Sequence, residues 1–272
     1  NGFDKSIFCY PATMERNILL EGFTGQACSN CPTGHKTISN FMAKATTTPV
    51  IEVMHHSGYQ PDYFSMDDDY EYTYFYGSSG TYAPAVMLNR AATFDVMPVM
   101  NTDELYLTYV YDIVENYQPY VSLKLNSEFD AATRELNIDF SSYAHADLPA
   151  ENIAFNVMLV QDGLLSKQTP YGDGYVHDAV FRGTATGNAW GYLLNDEAIK
   201  MGGEAHWHTK MVLPESIYSN MVYDGKDSTK CVWPAIPENM RLVAYVAAHG
   251  NTPASRQIYN AIEVPLGGSH SQ

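Results

Sequence analysis

The sequence is organised around nine residues, Thr24-Gly25-Gln26-Ala27-Cys28-Ser29-Asn30-Cys31-Pro32. They follow an apolar run, residues 18–23, and precede a segment whose apolar residues have helical spacing. The start of a helix presents unpaired backbone N–H groups and a partial positive charge, which favour a thiolate on Cys28. Cys31 comes one helical turn later, so it can attack a mixed disulfide and release the partner. The order of strand, CxxC and helix therefore predicts a thiol–disulfide exchange site.

Length, composition and charge exclude several classes of function. The chain has 272 residues, a length that favours two domains. Hydrophobic residues make up 45% and charged residues 17%, proportions typical of a globular protein. The net charge of −16 opposes binding to phosphate backbones, so no nucleic-acid partner is expected. The longest apolar runs, such as residues 242–248, are far shorter than the ~20 residues that a membrane helix needs.

Residues 1–15 lack periodicity and are predicted to form an extended lead-in. No charged region followed by an apolar region opens the sequence, so we expect any export signal to have been removed. Cys9 follows the bulky Phe8 where lipoprotein processing needs a small residue, which argues against lipid attachment at Cys9. Membrane association is therefore expected only through a missing N-terminal anchor.

Residues 16–118 are predicted to form a thioredoxin-like domain. The apolar spacing and the breaks between segments predict strands over residues 17–23, 50–55, 85–88 and 93–96, and helices over residues 32–44, 65–76 and 101–117. Ser65 is the expected N-cap of the second helix. A βαβ unit followed by a β-hairpin with flanking helices is the thioredoxin-like layout.

From residue 119 to residue 267 the apolar period changes from 3.6 to 2. Strands are predicted over residues 121–125, 136–140, 153–159, 175–181, 206–213, 242–247 and 258–264. About seven strands separated by turns, with almost no helical pattern, predict an antiparallel β-sandwich.

Two further features support the redox interpretation. Ala83-Pro84 precedes a strand expected beside the cysteine loop, where thioredoxin-like folds have a cis peptide, and a cis bond would present the backbone of Ala83 to an incoming peptide. Glu21 lies in the apolar strand that leads into the cysteine loop. If Glu21 is buried, its pKa is expected to rise, which would make it a candidate base for Cys31. The alternative is that Glu21 points to solvent near the end of the strand.

Other cysteines and histidines leave alternatives open. His35 and Lys36 could lower a cysteine pKa, or they could lie on a solvated helix face. Zinc binding needs a second CxxC or a close histidine pair, and Cys9 and Cys231 are not spaced as one, so no metal or cofactor is expected. These two cysteines could instead form a disulfide or be buried thiols. His206 and His208 share one face of a strand, either as a metal pair or as part of a polar surface.

Three motifs carry a family resemblance: LLEGFTGQxCxxCPxGH over residues 19–35, HDxxxR over residues 177–182, and WG at residues 190–191. They resemble the Bacteroidetes family related to the twenty-eight-kilodalton outer-membrane protein, over about residues 15–267. The resemblance implies an exported protein associated with the outer membrane and often lipid-anchored. It also implies a thioredoxin-like domain followed by an immunoglobulin-like sandwich. Ala27 and Ser29-Asn30 differ from the Trp and the Gly-Pro of active thioredoxins, which removes part of the usual docking surface without preventing exchange.

The leading hypothesis is therefore a cell-envelope protein, located in the periplasm or at the cell surface, that exchanges disulfides with a protein partner. In this hypothesis Cys28 attacks, Cys31 resolves, Glu21 transfers the proton and Ala83-Pro84 positions the partner. The alternative is a non-catalytic surface-binding or adhesion module in which CxxC is a structural disulfide. The aromatic residues expected to bind a surface ligand in that case are Tyr171, Tyr175, Trp190 and Trp207.

Overall fold

A computed structural model describes residues 14–45, 47–58, 60–77, 81–92, 97–108, 110–111, 114, 119–220 and 227–272. The first half contains β1 (Ile18–Phe23), α1 (Cys31–Lys44), β2 (Val50–His55), α2 (Asp67–Phe75), β3 (Ala85–Leu88), β4 (Met100–Asn101) and a 3-10 helix (Thr102–Tyr106). The second half contains β5 (Val121–Asp130), β6 (Glu135–Ala144), β7 (Ile153–Gln161), β8 (Leu164–Gln168), β9 (Gly172–His177), β10 (Val180–Thr184), β11 (Tyr192–Leu193), β12 (Glu204–Val212), β13 (Ser216–Tyr218), β14 (Val232–Pro234), β15 (Met240–Ala248), β16 (Ile258–Pro265) and β17 (Ser269–Ser271). Short 3-10 turns cover Ser228–Lys230, Pro237–Asn239 and Pro253–Ser255.

The structure is mostly β, with a mixed α/β first half followed by packed β-sheets, as the sequence predicts. A nine-stranded sheet has the order β16-β15-β7-β10-β2-β1-β3-β4, with β11 pairing to β7. A four-stranded sheet has the order β12-β6-β5-β17, and β8 pairs with β9 and β13 with β14 in two separate ribbons. Strands β1 and β2 are parallel, and β3 runs antiparallel to β1.

The central strands β7 and β15 are buried on both faces. One face of β7, including Phe155 and Val157, packs against the four-stranded sheet, where Phe155 stacks on Phe140 at 5.1 Å between ring centroids. The opposite face, including Met158 and Val160, packs into the core that surrounds β1 and α1. Burial on both faces explains why β7 is apolar along most of its length, apart from Asn156 and Gln161, instead of alternating between apolar and polar residues.

The large sheet crosses the boundary expected at residue 118. Its two parts meet where β10 runs parallel to β2, with Val180 opposite Met54 and the Met54 N–H donating to the Ala179 carbonyl at 2.7 Å. The division into units over residues 16–118 and 119–267 stays a prediction.

Several element predictions are confirmed to within one residue, including those for α1, β2 and β3. The expected N-cap of α2 is wrong: Met66 precedes the helix, and Ser65 instead accepts a hydrogen bond from the Asp62 N–H and donates to the His56 carbonyl. The strand predicted over residues 175–181 is two strands, because Asp178 and Ala179 form a turn in which Ala179 has a φ of 56°.

The helix predicted over residues 101–117 begins with a strand residue, Asn101, and a 3-10 helix, and its later part lies largely outside the described residues. The lead-in over residues 1–13, including Cys9, and the strand over residues 93–96 also lie outside them. No helix in the described part of the chain is long and apolar enough to cross a membrane.

Candidate functional site

Cys28 and Cys31 form a disulfide at the start of α1, with their Cα atoms 5.5 Å apart. Helix α1 begins at Cys31, with Asn30 as N-cap and a proline in its first turn. Cys28 lies in the preceding turn, where its N–H donates to the Gly25 carbonyl at 3.0 Å. Because unpaired N–H groups concentrate at this end of a helix, negative charge on either sulfur is favoured there. Both cysteines are buried, with Cys28 4% exposed and Cys31 fully buried.

The Ala83-Pro84 loop packs against the same end of α1, and its peptide bond is cis, as the sequence predicts. A Cβ atom added at Gly34 would lie 2.6 Å from the Pro84 Cβ, so the close approach of loop and helix requires glycine at position 34. A cavity of about 400 Å³ opens between the loop and the helix. It is lined by Asn30, Thr33, Gly34, Tyr82, Ala83, Pro84, Asn101, Thr102 and Asp103.

Glu21 is fully buried, so the expectation that it could face solvent is wrong. Its carboxylate accepts from Arg90 Nε at 2.6 Å and from a terminal guanidinium nitrogen at 2.7 Å, and His55 Nε2 lies 3.2 Å away. Burial raises the pKa of Glu21, but Arg90 and His55 outweigh it and lower the pKa to about 2. The expected rise of this pKa is therefore wrong, because the sequence did not reveal the buried guanidinium.

The positive partners of Glu21 are themselves held in place. His55 Nδ1 lies 2.9 Å from Asp69, and despite the opposing effect of burial the two carboxylates raise the pKa of His55 to about 9. Arg90 also donates to the Tyr245 hydroxyl at 3.1 Å. Glu21 is thus part of a buried charge network in the core behind the cysteine loop.

The β8–β9 hairpin, residues 164–177, covers the cysteine loop, residues 24–30 between β1 and α1. The Gln168 side-chain amide donates to the carbonyls of Gly25 at 3.1 Å and Cys28 at 2.9 Å, and the Thr169 N–H donates to the Gln26 carbonyl at 2.8 Å. In return the Gln26 amide donates to Ser166 Oγ at 2.8 Å and to the Lys167 carbonyl at 3.0 Å. Sequence reasoning missed this hairpin, since no local pattern marks a contact across about 140 residues.

A second hydrogen-bond network joins the cysteine loop to the segment that precedes α2. The Gln26 N–H donates to Asp62 at 2.9 Å, and the same carboxylate oxygen accepts from His56 Nδ1 at 2.8 Å. The Gln26 side-chain carbonyl accepts from the Tyr63 N–H at 3.0 Å. Gln26 therefore connects the cysteine loop both to the hairpin and to the segment that precedes α2.

His35 does not lie on a solvated helix face. Its Nε2 is 2.9 Å from Thr24 Oγ1 and its Nδ1 is 3.0 Å from the Tyr175 hydroxyl. Burial, together with the nearby His56, lowers the pKa of His35 to about 4. His35 is therefore neutral at pH 7 and supplies no positive charge to a thiolate, whereas Lys36 is exposed.

A cavity of about 390 Å³ separates α1 from β2 and the hairpin. Its lining consists of Thr24, Pro32, His35, Lys36, Ser39, Glu52, Met54, His56, Tyr175, Val176, His177 and Asp178. Burial raises the pKa of Glu52 to about 7. Within the described ranges, no group of three or more His, Cys, Asp or Glu side chains is arranged to hold a metal ion.

The remaining sequence candidates lie elsewhere. His206 and His208 are exposed on β12 and lie close to Glu204 and Asp139, at 3.3 Å and 2.8 Å. Cys231 is buried, and the choice between its pairing with Cys9 and two separate thiols depends on Cys9, which lies outside the described residues. Trp190 contacts the Arg256 guanidinium in the core, 4.0 Å from ring centroid to carbon, and Tyr171 is 69% exposed at the hairpin tip.

Comparison with known proteins relates this architecture to solved structures. HBP35 of Porphyromonas gingivalis superposes with a TM-score of 0.71 at 16% identity, over 93% of this chain and 76% of that one. A domain of the outer-membrane lipoprotein Omp28 from Porphyromonas gingivalis gives a TM-score of 0.32 at 11% identity, over 55% of this chain and 89% of that one. No protein-family model and no curated protein sequence matches the chain. The similarity to HBP35 shows a shared fold.

Proposed function

We propose that this chain is an exported cell-envelope protein that exchanges thiols and disulfides with a protein partner at Cys28 and Cys31. The observation that carries the proposal is the position of the disulfide, at the N-terminus of α1 and beside the Ala83-Pro84 loop. This arrangement supports a thioredoxin-like assignment of the first half, and the sheets of the second half support an immunoglobulin-like one. The assignment to the envelope rests on the sequence motifs that resemble the outer-membrane family.

The exchange proceeds through a mixed disulfide. A thiolate of the partner attacks Cys28 Sγ, the bond between the two cysteines breaks, and Cys31 leaves as a thiolate that takes up a proton from water. A second thiolate of the partner then attacks its own sulfur in the mixed disulfide and releases Cys28. The partner loses two electrons and becomes a disulfide, while the CxxC pair gains two electrons and two protons. The reverse sequence oxidises the CxxC pair.

Glu21 is not needed as the base in this scheme. Both of its oxygens are bound to Arg90, and its pKa is held low, so a proton that it accepted would disrupt a buried ion pair. We therefore assign Glu21 to stabilising the core behind the cysteine loop, and the proton transfer to water.

The thiolate character of Cys28 tests the proposal. The reduced Cys31→Ser variant is alkylated with iodoacetamide between pH 4 and pH 10, and the Cys28→Ser variant reports the background from the other cysteines. Activation at the helix start predicts a pKa for Cys28 below the ~8.5 of an unperturbed thiol. An ordinary or raised pKa contradicts the proposal.

A structural disulfide in a surface-binding module is the competing function, favoured by the burial of both cysteines. The reduction potential of the Cys28–Cys31 bond, measured against glutathione, distinguishes the two functions. A structural bond has a potential below about −300 mV, whereas an exchanging bond has a higher potential.

A further inference from the structure

The hairpin over the cysteine loop is a distinct ribbon. Strands β8 and β9 pair with each other and with no strand of the other sheets in the described part of the chain. At its base the Gly163 N–H donates to Asp178 at 2.8 Å, and the Ala179 N–H donates to Asp162 at 2.7 Å. The backbone has a positive φ on both sides of this base, 73° at Gly163 and 56° at Ala179. The hairpin is therefore fixed at its base to the large sheet and extends from there over the site.

The far end of the hairpin is held on the cysteine loop mainly by polar contacts. They comprise the two bonds from the Gln168 amide, the bond from the Thr169 N–H and the two bonds from the Gln26 amide. Two contacts outside the loop add to them: the Tyr175 hydroxyl lies 3.0 Å from His35 Nδ1, and Lys167 Nζ lies 4.6 Å from the Tyr63 ring centroid. Water can replace hydrogen bonds of this kind at a modest net cost, unlike an apolar interface.

Within the cysteine loop, Cys28 is buried while its neighbours in the sequence are exposed. Cys28 is 4% exposed, although its neighbours Ala27, Ser29 and Asn30 are exposed. The Cys28 carbonyl accepts a bond from Gln168, so the hairpin contacts the backbone of the residue whose sulfur an incoming thiolate must attack. On its other side the hairpin forms one wall of the cavity of about 390 Å³ next to α1. Lifting the hairpin would open the cysteine loop and this cavity together.

We infer that the β8–β9 hairpin is an autoinhibitory lid whose release admits a polypeptide thiol to Cys28, an inference that rests on the proposed exchange function. In the closed state Gln168 and Thr169 donate hydrogen bonds to backbone carbonyls of the cysteine loop. A partner that approaches Cys28 must displace these groups, whereas a small reductant needs only a partial opening. The lid therefore selects for partners able to compete for the loop.

The rate of reduction of the Cys28–Cys31 disulfide tests the lid. Oxidised wild-type protein, the Gln168→Ala variant and the Leu165→Ala variant are each reduced with dithiothreitol and with a reduced bacterial thioredoxin. Leu165 is 60% exposed on the hairpin, so its variant is a matched control. Gln168→Ala is expected to speed reduction by thioredoxin about tenfold, the effect of losing one or two hydrogen bonds, and reduction by dithiothreitol less. Equal rates in all three proteins overturn the lid.

Hydrogen exchange at the Thr169 amide gives a second measurement that needs neither a reactive thiol nor a stable variant. This N–H donates to the Gln26 carbonyl, so a lid that opens locally exchanges it faster than global unfolding allows. Exchange only through global unfolding overturns the lid, even if alkylation shows that Cys28 is activated. An ordinary Cys28 pKa together with fast local exchange overturns the exchange function instead, because the hairpin then opens over an inert disulfide.

Discussion

Replacement of Glu21 by glutamine distinguishes a structural carboxylate from a proton carrier. The substitution keeps the shape of the side chain and removes the charge that faces Arg90 and His55. Arg90 is fully buried and would keep its charge without a full counter-ion. Removing one partner of a buried ion pair typically costs about 3–5 kcal/mol.

The pKa of Glu21 gives an independent magnitude. Folding lowers it from its ordinary value of 4.5 to about 2, a difference worth about 3 kcal/mol at 1.36 kcal/mol per pH unit. The folded pKa lies below the unfolded one, so this stabilisation is complete above about pH 4.5 and is lost as the pH falls toward 2. The difference in unfolding free energy between wild type and Glu21→Gln should therefore be about 3 kcal/mol at pH 7 and should shrink on acidification.

Urea unfolding followed by tryptophan fluorescence between pH 7 and pH 3 measures this difference, and alkylation of reduced Cys28 at pH 7 measures reactivity. The matched control is Asp139→Asn, which removes an exposed carboxylate beside His208 and is expected to cost less than about 1 kcal/mol. A loss below about 1 kcal/mol for Glu21→Gln, or slower alkylation at unchanged stability, would refute the structural assignment and restore Glu21 as a base.

Three further predictions concern the surroundings of the site. Burial, together with the nearby His56, lowers the pKa of His35 to about 4 and that of His177 to about 3, both below the ordinary 6.5. The unfolding free energy, measured by urea titration, should therefore fall as the pH drops from about 6.5 to 4, and it should fall less steeply in the His177→Gln variant. Gly34→Ala places a methyl group against Pro84 and should cost about 1–3 kcal/mol in the same assay. The Cys28–Cys31 disulfide closes no long loop, so its reduction should lower the unfolding free energy by no more than about 2 kcal/mol.

The sequence predicts best where the signals are local. A proline near its start and apolar residues at helical spacing predict helix α1, which begins one residue before the predicted start, at Cys31. The order of the elements around the CxxC motif predicts the cis bond before Pro84. These features depend on neighbouring residues and on a common topology, so a single sequence is enough to predict them.

The contacts that give the site its character are long-range, and the sequence does not reveal them. Glu21 is paired with Arg90, 69 positions away, and this pairing reverses the direction of the expected pKa change. Gln168 reaches the Cys28 carbonyl from 140 positions away, within a segment whose mixed polar composition resembles a loop. A charge at a buried position is visible in a sequence, but its partner is not.

Apolar packing joins the two halves of the chain, whereas mainly polar contacts hold the far end of the hairpin. We therefore expect the hairpin to move and the two halves to stay together. Strands β7 and β15 are buried on both faces and contribute apolar residues to both cores, so separating the cores would expose large apolar surfaces. The hairpin is joined to this framework at its base, where Asp162 and Asp178 bond to the two strand junctions. Its far end is held by amide hydrogen bonds, the hydrogen bond between Tyr175 and His35, and one cation–π contact, which contribute much less per group than a buried apolar core. Local opening over Cys28 therefore requires far less free energy than any rearrangement of the sheets, and access to the disulfide can change while the fold stays intact.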